Sequence, residues 1–154
     1  MSAVQASGGG EFSWLVRVYY EDTDLSGVVY HANYLKFLER ARTEWLRALG
    51  FSQDRLLQDY GIAFTLVDIE VAFRKPARLD DALVVTVQLE RLKRASFELS
   101  QRIDRTVEGS RTTLTTARAQ VACVDAAAFK PRALPVDIAS SIAGRYPAPA
   151  VRQN

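Results

Sequence analysis

Residues Tyr20 to Tyr34 read Tyr-Glu-Asp-Thr-Asp-Leu-Ser-Gly-Val-Val-Tyr-His-Ala-Asn-Tyr, gathering carboxylates, hydroxyls, aromatics and the chain's only histidine, His31, ahead of a strongly helical pattern. A helix N-terminus presents unpaired N–H groups and roughly half a positive charge to the loop that enters it. An ionised Asp24 is favoured in that field, and the same N–H groups polarise a carbonyl oxygen set against them. A carboxylate and an electrophile activator on one loop point to acyl transfer. Gly27 allows a ligand to approach the backbone closely, and a phosphate or thioester oxygen would fit such a turn.

Each residue also has a simpler role. On position alone, Asp22 or Asp24 caps the turn or the helix. A single histidine is more often a structural hydrogen-bonding residue than a catalyst, and without a nearby serine or cysteine nucleophile it makes no triad. Tyr19, Tyr20, Tyr30 and Tyr34 read as packing aromatics with a polar tip, and Glu44 falls on the polar side of the helix.

The loop needs a strand to deliver it and a helix to receive it. From Phe12 to Tyr20, Trp14, Val16, Val18 and Tyr20 alternate with Leu15, Arg17 and Tyr19, which predicts a strand with one buried face. From about Asn33 to Leu49, Tyr34, Leu38, Ala41, Trp45 and Leu49 recur at steps of three or four, with Leu35, Leu46 and Ala48 widening the stripe and Gly50 at the C-terminal cap. That length and stripe width predict a helix wrapped by a sheet. A shorter helix is expected from Ser52, its N-cap, to Asp59, with Gly61 as its stop.

Strand patterns then cover Phe64 to Arg74, Ala82 to Leu92, Ser96 to Arg105 and Thr112 to Val124, and no helical crossover separates them. An antiparallel sheet in an α+β protein follows. A last helical turn is expected near Ile138 to Ile142. One domain is expected over residues 12–145. Residues 1–11, small and glycine-rich, and 146–154, with Pro147 and Pro149, read as flexible tails.

A chain of 154 residues can bury a core without staples, and 48% hydrophobic with 25% charged residues is a globular composition rather than a disordered or fibrous one. A net charge of +2 does not argue for nucleic acid, although Arg91, Lys93 and Arg94 form a local cluster suited to a phosphate. Lone Cys123 forms no internal disulfide and, beside one histidine, no thiolate zinc site, so no metal is expected. The N-terminal residues lack a signal-peptide pattern, and no run of about 18 apolar residues occurs. A cytoplasmic protein without a transmembrane segment is expected.

The run Val18 to Asp24, then Gly27 to Leu35, then Glu39 to Glu44, closely resembles the Tol-Pal-associated (YbgC-type) acyl-CoA thioesterases, which group with the 4-hydroxybenzoyl-CoA thioesterases of the hotdog fold. The resemblance continues through Phe73-Arg74-Lys75-Pro76-Ala77 and Leu79-Asp80-Asp81 to Cys123-Val124-Asp125, so it covers roughly residues 14 to 136. It implies an antiparallel sheet of about five strands around a long central helix, paired subunits with active sites at their interface, and dimers or dimers of dimers.

It also implies roles. Asp24 matches the catalytic carboxylate that attacks the thioester or activates water. His31 matches the position whose backbone N–H holds the thioester oxygen, with its side chain implicated as well, and Tyr20 matches an active-site tyrosine. Lys93, Arg94 and Ser96, with Arg132, fall near the nucleotide phosphates of coenzyme A. Ala95 stands where the related group has a further basic residue, which alters that patch.

The implied activity is hydrolysis of an acyl-CoA to a free acid and coenzyme A, which is part of the substrate, with no separate cofactor. Phe64, Val67 and Tyr30 are expected to line the interface pocket. Acyl carrier protein and lipid-synthesis partners are implied as well. The alternatives are a hotdog dehydratase acting on carrier-bound substrates, and a non-catalytic acyl-group or partner-binding module.

Overall fold

Alternation along β2 (Glu11–Arg17) turns Phe12, Trp14 and Val16 to one face, and all three are buried. The computed structural model describes residues 3–4 and 10–145. The rest of the two expected tails lies outside the described residues. Within the N-terminal one, β1 (Ala3–Val4) pairs with Trp14 and Ser13.

Four long strands follow the helical segment: β3 (Ile62–Phe73), β4 (Ala82–Leu92), β5 (Ser96–Val107) and β6 (Ser110–Asp125). All the pairings are antiparallel, in the order β1-β2-β4-β5-β6-β3. Five long strands match the expected architecture, and β1 adds a short sixth. β3 begins two residues before its expected start, because Ile62 pairs with Asp125 as soon as the chain leaves Gly61.

The helix α1 (His31–Ala48) lies across this sheet. Tyr34, Leu38, Ala41, Trp45 and Leu49 are buried as the spacing predicts. Phe37 is also buried at 1% exposure, whereas Leu35, expected to widen the stripe, is 42% exposed. The apolar stripe therefore turns to the Phe37 side of the helix. Gly50 has φ +98°, and the N–H groups of Gly50 and Phe51 return to the carbonyls of Arg47 and Leu46 at 2.9 Å each, closing the helix with the expected left-handed cap.

α2 (Gln53–Arg55) starts at Ser52, whose hydroxyl accepts from the Arg55 N–H at 3.2 Å, and widens into a π-turn over Leu56–Tyr60. The last helix, α3 (Val136–Arg145), is longer than the expected turn and buries Ile138 and Ile142 in the core. Among the described residues no helix is long and apolar enough to cross a membrane.

Pairing gives the sheet two distinct ends. One gathers the C-terminus of β2, the start of β4, the end of β3 and the N-terminus of α1. The other gathers the β4–β5 turn, the start of β3 and the C-terminus of α1.

Candidate functional site

The chain leaves β2 into a short 3₁₀ turn, Tyr20–Asp22. Asp22 Oδ2 accepts the Tyr19 N–H at 2.8 Å, and the Asp22 carbonyl accepts the Tyr30 N–H at 3.0 Å and the Asn33 amide at 2.9 Å. Asp22 is thus built into the frame of the loop. Its capping role is the one that position alone assigns to such an aspartate.

Asp24 sits differently. Its own N–H donates to the Val28 carbonyl and its carbonyl accepts the Gly27 N–H, each at 3.0 Å, so residues 24–28 form a tight turn with Gly27 at φ +82°. Oδ1 of Asp24 accepts the Ser26 N–H at 2.8 Å and the Ser26 hydroxyl, while Oδ2 has no partner among the described residues. The Ser26 hydroxyl first, its N–H second and nearby His31 last hold the Asp24 carboxyl below the ordinary aspartate range, against slight desolvation. The side chain is exposed and ionised, with one oxygen free. Ser26 was not singled out in the sequence, although an aspartate followed two residues later by serine is the pattern of such a turn.

The turn is pinned next to the helix. Val29 N–H donates to the Ala77 carbonyl at 2.8 Å, and the Tyr34 hydroxyl accepts the Ala77 N–H at 2.9 Å. Buried Tyr34 is therefore a packing aromatic with a satisfied tip. α1 opens at His31 itself, and its N-cap residue Tyr30 supplies no side-chain cap. The Asn33 N–H turns back to the Tyr30 carbonyl at 2.8 Å, leaving the His31 and Ala32 N–H groups without an intrahelical acceptor. The His31 ring is exposed, packs 4.4 Å from the Tyr30 ring, and lines an open depression of about 270 Å³ with Tyr34, Phe73, Arg74 and Lys75. Tyr20 is 82% exposed on the 3₁₀ turn of the same loop.

The expected phosphate residues lie elsewhere. Lys93 N–H donates to the Ser96 carbonyl at 2.8 Å across the β4–β5 turn, and Lys93 Nζ pairs with Glu98 at 3.6 Å. Arg94 is exposed, and its carbonyl accepts the Leu134 N–H at 2.9 Å. Arg132 donates to the Gly61 carbonyl at 3.3 Å and pairs with Asp125 at 3.5 Å. These four cluster at the far end of the sheet. The ten residue steps of β4 from Ala82 to Leu92 place them about 30 Å from the Asp24 loop. One chain brings Tyr20, Asp24 and His31 together, and separately Lys93, Arg94, Ser96 and Arg132, but not the two groups. Of the residues expected to line one pocket, Phe64 lies toward the far end, Tyr30 on the loop, and Val67 is exposed on β3.

The thioesterase superfamily model matches residues 26–110. An acyl-CoA thioesterase, YbgC, of Haemophilus influenzae is 45% identical over 127 residues, spanning 82% of this chain and 90% of that protein. Among solved structures, a probable thioesterase from Bartonella henselae is 38% identical with a TM-score of 0.71, covering 80% of this chain and 98% of that one. A 1,4-dihydroxy-2-naphthoyl-CoA thioesterase from Synechocystis superposes with a TM-score of 0.78 at 25% identity, over 86% and 95% of the two chains.

Proposed function

The chain belongs to the thioesterase superfamily and has its hotdog fold, and from that premise we propose that it hydrolyses acyl-CoA thioesters to a carboxylic acid and coenzyme A. One juxtaposition carries the mechanism: an ionised Asp24 with a free Oδ2, held by Ser26 a few residues before the open N-terminus of α1. The thioester oxygen binds at the His31 and Ala32 N–H groups, where the helix field stabilises the charge that grows on it in the transition state. Asp24 attacks the carbonyl carbon or takes a proton from the attacking water. In either route the C–S bond breaks, the sulfur leaves as the coenzyme A thiol, and water supplies the second oxygen of the acid. Tyr20 and the His31 side chain orient the acyl group and Asp24 from the loop.

A single chain would leave this loop about 30 Å from its phosphate-binding residues, so we propose that the working unit is a homodimer joined along β3. β3 ends the sheet with twelve residues, no proline or lysine, and Leu66, Val67 and Phe73 exposed. The strand also carries exposed Asp68 and Glu70, but a long edge with no proline, no lysine and an exposed apolar stretch at Leu66 and Val67 is a template for strand pairing. Antiparallel pairing of two such edges sets the far end of one sheet against the Asp24 loop of the other. Lys93, Arg94, Ser96 and Arg132 of one copy then reach the phosphates of a coenzyme A whose thioester lies at the second copy's helix N-terminus.

The test is free-thiol release over acyl-CoAs of graded chain length. Turnover is expected with the unaltered chain and is expected to fall by at least about a hundredfold in Asp24→Asn, with fold and mass unchanged. Normal turnover in that variant removes Asp24 from the mechanism. His31→Ala keeps the backbone N–H, so a comparable loss there assigns a role to the ring.

A further inference from the structure

Midway along α1 lies a charge that the proposed reaction does not use. Arg42 Nη1 donates to Gln101 Oε1 at 2.9 Å, and buried Gln101 donates in turn to the Leu38 carbonyl at 3.1 Å. Of five guanidinium N–H donors, the described residues engage that one, with a neutral acceptor. Burial lowers the Arg42 pKa and Glu39 partly opposes it. Glu39, in turn, accepts the Thr43 hydroxyl at 2.8 Å. A cation withdrawn from water is costly unless oxygen atoms surround it.

Arg42, Glu39, Thr43 and Gln53 supply the polar lining of a cavity of about 130 Å³ between α1 and the sheet, and its apolar lining includes Phe64, Leu66 and Leu99. The cavity lies toward the far end of the sheet, beside the start of β3. In the β3-paired dimer that end faces the second copy's reactive loop.

We propose that this cavity receives the acyl group, and that Arg42 with Glu39 selects acyl groups carrying a hydroxyl over plain hydrocarbon chains of equal length. The inference rests on the acyl-CoA hydrolase reading. Phe64, Leu66 and Leu99 hold the carbon skeleton, the idle Arg42 donors meet the added oxygen, and the Glu39 carboxylate accepts its proton. A carboxylate-ended chain would meet the charge of Glu39, so the neutral hydroxyl is the group that suits both neighbours.

The experiment compares hexanoyl-CoA with 6-hydroxyhexanoyl-CoA and octanoyl-CoA with 8-hydroxyoctanoyl-CoA. The unaltered chain should favour the hydroxylated member by about tenfold in kcat/KM, the worth of one hydrogen bond to a charged group. Arg42→Met should bring the ratio near one, and Arg42→Lys should restore part of it. A ratio near one in the unaltered chain, or one that survives Arg42→Met, overturns the inference. Should Arg42→Met fail to fold, Glu39→Gln reads the same ratio, which must fall. Thiol release from none of the four defeats the hydrolase reading instead. Calorimetric binding of the same pairs then reads the preference directly, and equal affinities overturn it.

Discussion

At the scale of single residues, Asp22 and Asp24 are two positions apart in sequence and do different work. Asp22 takes the Tyr19 N–H and its carbonyl braces Tyr30 and Asn33, while Asp24 keeps one oxygen free over an exposed turn. Ser26 tunes that difference. Its hydroxyl is the first cause of the lowered Asp24 pKa, so the ionised form persists to a pH below the ordinary aspartate range and is lost only as pH falls through the lowered value. In Ser26→Ala the Asp24 pKa rises, and the acid limb of kcat/KM against pH should move up toward that of an ordinary aspartate. An unmoved limb would mean that Asp24 is not the group titrating there.

At the scale of elements, α1 both buries a broad apolar face against the sheet and carries the proposed oxyanion site at its N-terminus, so packing and the proposed chemistry share one anchor. That anchor is Tyr34. Its buried ring packs 5.4 Å from Phe73 and 6.4 Å from Phe37, and its hydroxyl holds the Ala77 N–H that accompanies the Val29–Ala77 link. Tyr34→Phe leaves that N–H without its acceptor and should cost about 1–3 kcal/mol in denaturant unfolding, with a lower kcat as the loop loosens. The helix was legible in advance because its apolar period is long and regular. The Phe37-for-Leu35 exchange in its buried face was not, since both residues are apolar and only the position of the sheet chooses between them.

For the whole molecule, the proposed dimer turns on β3, which ends the sheet. A two-residue β1 sits on the β2 edge at the opposite side of the sheet, whereas all twelve residues of β3 lack a neighbour beyond β6 among the described residues. A third acidic residue, placed beside Asp68 and Glu70 in the apolar stretch at Leu66 and Val67, should oppose pairing of two such edges. Val67→Asp is therefore expected to shift the mass in solution from two chains to one and to lower thiol release with it. A Val67→Asp chain that stays paired and active would place the seam elsewhere.

The class of the fold and the long central helix were legible in local patterns, period-2 strands and a period-3.6 stripe, whereas the run of chemistry-bearing residues before that helix marked a candidate loop that position alone assigned to capping and the family resemblance assigned to catalysis. How those pieces stand in space came from the packed fold. It gave Asp22 to the frame and left Asp24 exposed beside Ser26. It parted Lys93, Arg94, Ser96 and Arg132 from the loop by the length of a strand. It set Arg42 of α1 against Gln101 in a cavity wall. The physical reason is the same in each case: hydrogen-bond partners and burial depend on residues distant in sequence, and local patterns carry no record of which distant residues those are.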